Sequence, residues 1–290
     1  MTVRDLATIE AALRASEAKV PDLRPGCEKR IIWAGDPARA TDISVLFIHG
    51  FSASPEEIRP LPDMVAKALG ANLHFTRLTG HGQDGAAMGR ATLAAWQADV
   101  AEALEIAATI GKRVIVIGCS TGCTLATLAL AQGARAHAMV HVSPNFGLTH
   151  RLAQVLLDLP WSRHWSHLIA GRERRFPTIS AAHAAYWTPR YPTKAVHVMA
   201  DAVRAALAAD LGQIGTPALF CYNETDQVVS ARRTRKVMAR WGAPVADYRF
   251  QQGPDDDAMG HLMAGDIFSP RQTGPAVTRI LAWLDALPGD

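Results

Sequence analysis

The sequence predicts an α/β fold in which a mostly parallel central sheet is flanked by helices. Short runs rich in Val, Ile, Leu and Phe alternate with amphipathic stretches of helical length, an alternation typical of parallel sheets with covering helices. The runs are continuously apolar, which suits strands buried on both faces. A chain of 290 residues is long enough for one large core that carries one insertion.

Six apolar runs are predicted to be strands of this sheet, and one earlier run is predicted to pair antiparallel at its edge. The earlier run, residues 29–33, is separated from the next by the turn-rich segment Gly35-Asp36-Pro37. The six strands are predicted at residues 44–49, 73–78, 113–118, 138–142, 218–222 and 248–251.

Helices are predicted between these strands. The clearest start signal is Ser54-Pro55-Glu56-Glu57, in which Ser54 could cap a helix, Pro55 fits its first turn and Glu57 would complete a capping box. We therefore expect a helix to begin directly after the His49-Gly50-Phe51 turn. The remaining helices are predicted at residues 1–20, 93–108, 121–132, 231–241 and 275–287.

A long segment between the strands at 138–142 and 218–222 has helical and aromatic stretches but no clear strand, and we expect it to form a helical cap over the sheet edge. The predicted organisation is an N-terminal helix and edge-strand extension at 1–42, a core at 43–145 and 214–290, and a cap insertion at 146–213. Much of the cap's apolar bulk is expected to pack inward. That bulk consists of Leu152, Val155, Leu156, Leu157, Leu159, Trp161, Trp165, Leu168, Ile169, Phe176, Tyr186 and Trp187.

The composition argues against several classes of partner. The net charge is only +3 and basic residues are interspersed with acids, so no nucleic-acid partner is expected. No apolar run approaches the ~18 residues that cross a bilayer, and the N-terminus does not resemble a signal peptide. The four cysteines lack the spacing of a disulfide framework, which favours a reduced, cytoplasmic setting.

Two sets of basic residues, within residues 172–175 and 232–240, are best explained as solvated surface. The second set lies on a predicted helix whose inward stripe would be Val237, Met238 and Trp241. Recognition of an anionic substrate or a membrane surface by these residues stays open as an alternative.

The strongest local signal is Gly-Cys-Ser-Thr-Gly at residues 118–122, because it ends an apolar strand and opens a helix. A nucleophile on such a tight turn has strained backbone, and glycines on either side let neighbouring elements approach closely. The pattern predicts Ser120 as a nucleophile, activated beside a helix N-terminus that favours negative charge. Cys119 is a rival nucleophile by position, but it and Cys123 are expected to be inert packing residues.

An acyl-transfer nucleophile also needs two amide donors for the oxyanion. One is expected from the residue after the nucleophile, Thr121, and the other from Phe51, in the loop after the strand at 44–49. In that loop Gly50 permits the backbone turn, and His49 is expected to orient the loop without transferring protons.

With these motifs the chain resembles the α/β-hydrolases, and particularly their carboxylesterase and monoacylglycerol-lipase-like branch, over about residues 43–287. The resemblance implies the order Ser, acid, His. It carries the acid onto Asp226, which follows a late strand, and the base onto His261 after Gly260. Some relatives place the acid after the preceding strand, where this chain has Ser143-Pro144-Asn145 and no carboxylate.

Other acidic residues near these positions are weaker candidates. Glu224 could replace Asp226 only if the loop were shifted. The run Asp255-Asp256-Asp257 is expected to be a solvated loop rather than a set of rival acids.

Residues 80–85, Gly-His-Gly-Gln-Asp-Gly, match the dinucleotide-binding fingerprint literally. Gly85 and Gly89 should delay the helix that the fingerprint requires, Asp84 would repel a pyrophosphate, and no strand-end acid follows about 20 residues on. A dinucleotide site is therefore not expected. In the family that the chain resembles, a Gly-His-Gly turn follows this strand for structural reasons, and the resemblance implies a structural role for His81. Cys119 and Cys123 have no matching His or Cys pair for a metal, so neither a metal nor an organic cofactor is expected.

The predicted function is a serine carboxylic ester hydrolase acting through Ser120, Asp226 and His261, with a small-molecule ester as substrate. Short-to-medium acyl esters or monoacylglycerols are the expected substrates. Acyl transfer, or cleavage of a thioester or amide, could use the same triad. A non-catalytic relative that binds a ligand under its cap is the alternative from a different class. The oligomeric state is not predicted.

Overall fold

The computed structural model describes residues 5–159 and 161–288, and within them a seven-stranded sheet carries the fold. Its strands are β1 Arg30–Ile32, β2 Thr41–Ile48, β3 Asn72–Phe75, β4 Gly111–Cys119, β5 Ala138–Val142, β8 Ala218–Tyr222 and β9 Val245–Arg249. Their spatial order is β1-β3-β2-β4-β5-β8-β9, and every neighbouring pair is parallel except β1 with β3. A separate antiparallel pair joins β6 Glu173–Arg175 to β7 Arg190–Pro192.

The described helices lie mainly between consecutive strands. They are α1 Ile9–Glu17, α2 Leu61–Ala68, α3 Gly85–Met88, α4 Leu93–Ile110, α5 Thr121–Ala131, α6 Arg151–Asp158, α7 Ser162–Ala170, α8 Ala181–Tyr186, α9 Lys194–Ala208, α10 Ala231–Met238 and α11 Pro270–Asp285, with a 3₁₀ turn at Leu211–Gln213.

Alternate side chains of each central strand enter two different apolar layers, as expected for a sheet covered on both faces. On β2, Val45 and Phe47 pack with residues of α2 and α11, whereas Leu46 and Ile48 pack with residues of α4 and α5. All four side chains are fully buried. The predicted α/β class, with its mostly parallel sheet and antiparallel edge strand, is confirmed.

Several predicted element boundaries are wrong. The helix expected from Pro55 begins at Leu61 instead, because Pro60 has no N–H to continue a helix and disfavours helical backbone at the preceding residue. The last helix starts at Pro270, and Pro275 lies inside it. The last strand is Val245–Arg249 rather than 248–251, since this edge strand includes the polar Asp247 and is not a continuous apolar run.

The N-terminal extension packs against the core through α1. Ile9 and Leu13 are buried together with Ile31 and with residues of α4, and the buried Glu17 pairs with Arg77 at 2.7 Å. These contacts agree with the predicted amphipathic helix. Residues 1–4 of that predicted helix lie outside the described residues.

Between β5 and β8 the chain adds α6 to α9 and the β6–β7 pair, and we call this segment the insertion. The two short strands were not predicted, because all three residues of β6 are exposed and carry no apolar signal. The predicted limits of 146–213 for a cap stay a prediction. Among the described residues, no helix combines the length and the apolar character needed to cross a bilayer.

Candidate active site

Ser120 lies at the sharp turn between β4 and α5, with φ 49° and ψ −111°. Such a backbone is strained for a residue with a Cβ, and the surrounding contacts hold it in place. The Ser120 amide donates to Val142 O at 2.9 Å, and its carbonyl accepts from the amides of Cys123 and Asn145. A side chain at Gly122 would collide with the backbone of Ile48, and one at Gly118 would lie 2.8 Å from the Cys123 amide. The glycines therefore permit the turn as predicted.

The structure brings the three predicted triad side chains into one hydrogen-bonded chain. His261 Nδ1 lies 2.8 Å from Asp226 Oδ2, and His261 Nε2 lies 3.1 Å from Ser120 Oγ. A carboxylate can only accept, so Nδ1 carries the proton and Nε2 accepts from the serine hydroxyl. Burial alone would lower the pKa of His261, but the charge and hydrogen bond of Asp226, followed by the charges of Asp257 and Glu57, raise it above its ordinary value.

Asp226 is held firmly for this contact. Its Oδ1 accepts from the amides of Val228 and Val229 at 2.7 and 2.9 Å, which leaves Oδ2 directed at the imidazole. The side chain of the alternative acid, Glu224, is 41 % exposed and pairs with Arg235 and Arg249. The loop is therefore not shifted toward Glu224.

Asp257 has a structural role that the sequence did not indicate. Its Oδ2 accepts from the amides of His261 and Leu262, each at 2.9 Å, and its Oδ1 accepts from the Met259 amide at 3.2 Å. Treating the whole run of three aspartates as solvated was thus wrong for Asp257, which is buried. It fixes the loop that carries His261.

In the loop after β2, the Phe51 amide has no hydrogen-bond partner among the described residues. Its neighbours are tied down: the Gly50 amide donates to Glu57 Oε2 at 2.6 Å, and the Ser52 amide donates to His81 Nε2 at 3.1 Å. The amide of Thr121, in the first turn of α5, has no intrahelical acceptor either. These are the two donors that the sequence predicts for an oxyanion.

His49 and His81 support this loop as buried neutral rings. His49 Nε2 accepts from the Leu78 amide at 3.1 Å, so its Nδ1 donates to Gly50 O at 2.8 Å. Burial lowers the pKa of His49 to about 4 and that of His81 well below its ordinary value. Both side chains have the structural placement expected from the sequence.

Glu57 has a different environment from the capping role predicted for it. Its carboxyl group turns toward Gly50, and its side chain is buried with only 3 % of the residue exposed. Burial raises the pKa of Glu57 to about 7, although the Gly50 amide, the Cys119 thiol and the charge of His261 act in the opposite direction. No sequence signal distinguished this role from a helix cap.

Cys119 and Cys123 lie inside the core as predicted. Both are free and fully buried, and burial raises the pKa of each thiol well above its ordinary value. Cys123 Sγ lies 3.0 Å from Gly118 O, to which it donates. A neutral thiol so placed is a poor nucleophile.

Residues 80–85 form a turn that packs closely against other parts of the protein. A short helix does begin at Gly85, contrary to the expected delay, because the Asp84 side chain caps it by accepting from the Ala87 amide at 2.8 Å. A side chain at Gly85 would collide with the backbone of Arg190 in β7. The glycine thus serves close approach of the insertion.

The insertion reaches the site along one side. The Thr188 amide donates to Ser52 O at 2.8 Å, and the ring of Tyr191 stacks edge-on against Phe51 with centroids 5.1 Å apart. The expectation that much of the apolar bulk packs inward is wrong for α6 and α7, which contact each other and α9 but leave their outer sides uncovered. The exposed members are Leu152, Val155, Leu159, Trp161, Leu168 and Ile169.

The basic residues of α10 agree with the sequence interpretation. Arg232, Arg235 and Lys236 are exposed, and Val237 and Trp241 are buried against the sheet. Arg232 and Lys236 also line a groove of about 860 Å³ between α10 and α6.

Comparison with known proteins places these features in context. Residues 45–271 match the profile of a family described as the alpha/beta hydrolase family. A thermostable monoacylglycerol lipase of Bacillus sp. (strain H-257) is 39 % identical over 90 residues, a segment covering 31 % of this chain and 35 % of the lipase. The match thus spans about a third of the length of that curated relative.

Solved structures share the fold at low sequence identity. A structure of "LipS and LipT, two metagenome-derived lipolytic enzymes" superposes with a TM-score of 0.74 at 21 % identity, over 92 % of this chain and 100 % of that one. A monoglyceride lipase from Saccharomyces cerevisiae, in complex with a substrate analogue, gives 0.62 at 12 % identity over 89 % and 91 %.

Proposed function

The chain belongs to the alpha/beta hydrolase family, and on that premise we propose that it hydrolyses carboxylic esters through an acyl-enzyme on Ser120. His261 takes the proton of the Ser120 hydroxyl as its oxygen attacks the ester carbonyl. The Phe51 and Thr121 amides then stabilise the oxyanion. The alcohol leaves with a proton returned by His261, and water releases the acid by the same steps in the second half of the reaction.

The observation that carries this proposal is the continuous hydrogen-bonded chain from Asp226 through His261 to Ser120. Further support comes from the strained turn that presents Ser120 at the end of β4, next to the Phe51 and Thr121 amides. One such donor contributes about 10²- to 10³-fold to acyl transfer in other serine hydrolases. The hydrogen-bonded side chains, the strained turn and the free amide donors are each common in proteins. Their combination at the carboxyl ends of the strands favours catalysis.

The substrate class is proposed from the relatives and from the insertion. The curated relative is a monoacylglycerol lipase, and the insertion contributes Tyr191 and Thr188 next to the oxyanion loop. We propose short-to-medium acyl esters or monoacylglycerols as substrates. Transfer of the acyl group to another alcohol or amine, or cleavage of a thioester or amide, would use the same steps. A cytoplasmic location stays a prediction from the sequence.

Labelling with a fluorophosphonate tests the proposal directly. The probe should label the wild-type protein covalently at Ser120, with parallel turnover of p-nitrophenyl esters. Ser120→Ala should abolish both signals, and Ser16→Ala is the control, because the Ser16 hydroxyl donates to Leu13 O within α1 and contacts no residue of the candidate site. A wild-type protein that neither reacts nor hydrolyses any ester would favour a non-catalytic, ligand-binding role.

A further inference from the structure

We propose that Glu57 is a positioning residue of the candidate active site, which fixes the oxyanion loop through the Gly50 amide and, when ionised, opposes the oxyanion. The inference rests on the proposed function, since it assigns a role within that reaction. Glu57 touches neither a triad side chain by hydrogen bond nor the expected position of the substrate. It would act through its neighbours.

The first observation is the position of the carboxyl group behind the oxyanion loop. A methyl group built on Gly50 would lie 2.6 Å from Glu57 Oε1 and 3.1 Å from Ser120 Cβ, so the carboxyl group and the nucleophile are separated by little more than this glycine. The Gly50 amide donates to Glu57 Oε2 at 2.6 Å. Because Phe51 is the next residue, the direction of its amide depends on this anchor.

The second observation is that few neighbouring groups could compensate a charge on Glu57. The titratable side chains facing it are the thiols of Cys119 and Cys123, the ring of His261 and, beyond Gly50, the ring of His49. The thiols and His49 are neutral at neutral pH, since burial raises the pKa of the thiols and lowers the pKa of His49 to about 4. In the described part of the site, His261 is therefore the partner whose charge can change.

A buried carboxylate at this place has two consequences. Its negative charge lies close to the oxyanion that forms beside Phe51, and in a site closed to water that repulsion raises the barrier. It also favours the imidazolium form of His261, which cannot accept the serine proton. Neutral Glu57 removes both effects, and its carbonyl oxygen still accepts from the Gly50 amide.

The expected signature is a bell-shaped pH dependence of kcat/KM in the wild-type enzyme. The acid side reflects deprotonation of His261, and the alkaline side reflects ionisation of Glu57, which burial shifts to about 7. Because His261 and Glu57 interact, the apparent pKa values of the profile belong to the pair and not to either residue alone. Wild-type activity that rises to a plateau and stays level up to about pH 9 would overturn the proposal without any variant.

Two substitutions separate the charge from the anchor. Glu57→Gln keeps an acceptor for the Gly50 amide but cannot ionise, so its alkaline decline should disappear and kcat at pH values above the wild-type optimum should rise several-fold. Its acid limb should stay close to that of the wild type, because Glu57 is already neutral there. Glu57→Leu removes the anchor as well, so kcat should fall about 10-fold or more with KM little changed, as for a lost transition-state contact.

Glu56→Gln is the matched control, because Glu56 is adjacent in sequence but pairs with Arg30 and Arg59; its pH profile should coincide with that of the wild type. Thermal unfolding midpoints check that each variant is folded. A Glu57→Gln profile superimposable on the wild-type profile would overturn the inference while leaving the proposed function intact. A wild-type protein inert to esters and to fluorophosphonate would instead overturn the proposed function.

Discussion

Two regions of the molecule differ in how firmly their side chains are fixed. One lies at the ends of β4 and β8, and the other consists of the helices α6 and α7. Asp226 and the residue Ser120 are 5 % and 8 % exposed, and each is fixed by backbone hydrogen bonds from two or more residues. Trp161 and Leu168, by contrast, are 77 % and 78 % exposed. One region is built around fixed polar contacts and the other leaves large apolar side chains on its surface.

The difference separates the proposed chemistry from substrate choice. A misplacement of about 1 Å in a catalytic group can cost 10²-fold in rate, and the many hydrogen bonds that fix the strand-end residues agree with the catalytic role proposed for them. Substitutions in α6 and α7 should leave those contacts intact. We therefore expect rates to depend steeply on the strand-end residues and substrate range to depend on the inner side of the insertion.

The largest effect is expected at the nucleophile. Ser120→Ala should reduce kcat for an activated ester by about 10⁴-fold or more, because the hydroxyl forms the covalent bond. His261→Ala should act similarly. Initial-rate assays at matched concentrations of folded protein measure the loss.

The fold should survive Ser120→Ala, since the side-chain hydrogen bond that is lost is the one to the His261 ring, and far-UV circular dichroism with thermal unfolding provides the check. Turnover unchanged in Ser120→Ala would place the nucleophile elsewhere and remove the contrast between the two regions.

The next effect is expected at the acid. Asp226→Asn should lower kcat about 10³- to 10⁴-fold, because an amide no longer orients the imidazole or stabilises its charged form. Glu224→Gln is the matched control, as Glu224 forms surface ion pairs of small energetic value. Steady-state kinetics of both variants decide the assignment. A large loss of kcat in Glu224→Gln, with little loss in Asp226→Asn, would make Glu224 the acid instead.

Much of the central sheet could be predicted, because a continuous run of apolar residues indicates a strand that is buried on both faces. The strands at 138–142 and 218–222 were placed correctly to the residue, since both are continuous, central and bounded by polar segments. The edge strand β9 and the exposed pair β6–β7 have little apolar signal. Their formation depends on neighbouring chain segments that a local pattern does not contain.

Ser120 could be predicted from its strand-to-helix turn, and Asp226 and His261 from the family resemblance, whereas Glu57 and Asp257 were misinterpreted. Glu57 resembles a capping residue, and the start of a helix at Leu61 shows that its carboxyl group is used elsewhere. Asp257 sits in an acidic run that is typical of solvated loops, yet it accepts three backbone amides. Both roles arise from contacts made only after the chain has folded.

A smaller effect is expected from pH. Because Asp226 and its neighbours raise the pKa of His261 above its ordinary value despite burial, the acid limb of kcat/KM should have its midpoint above about 6.5. Below that midpoint the ring is protonated and cannot accept the serine proton, so activity falls about 10-fold for each pH unit. A profile measured with an ester that is stable across the range tests this, and a limb well below 6.5 would contradict the described charge environment.

The smallest effect, and the one that probes the insertion itself, concerns acyl-chain length. Each methylene transferred from water to an apolar wall contributes up to ~0.8 kcal/mol. We therefore expect kcat/KM for p-nitrophenyl esters to rise several-fold for every two carbons added to acetate, until the pocket is full. The optimum should lie between butyrate and decanoate. Tyr191→Ala, which removes the ring that contacts Phe51, should shift this optimum. Trp161→Ala, an exposed residue of the same insertion, should not. If acetate were the best substrate and activity declined steadily with length, the insertion would close the pocket and the proposed monoacylglycerol-like preference would be wrong.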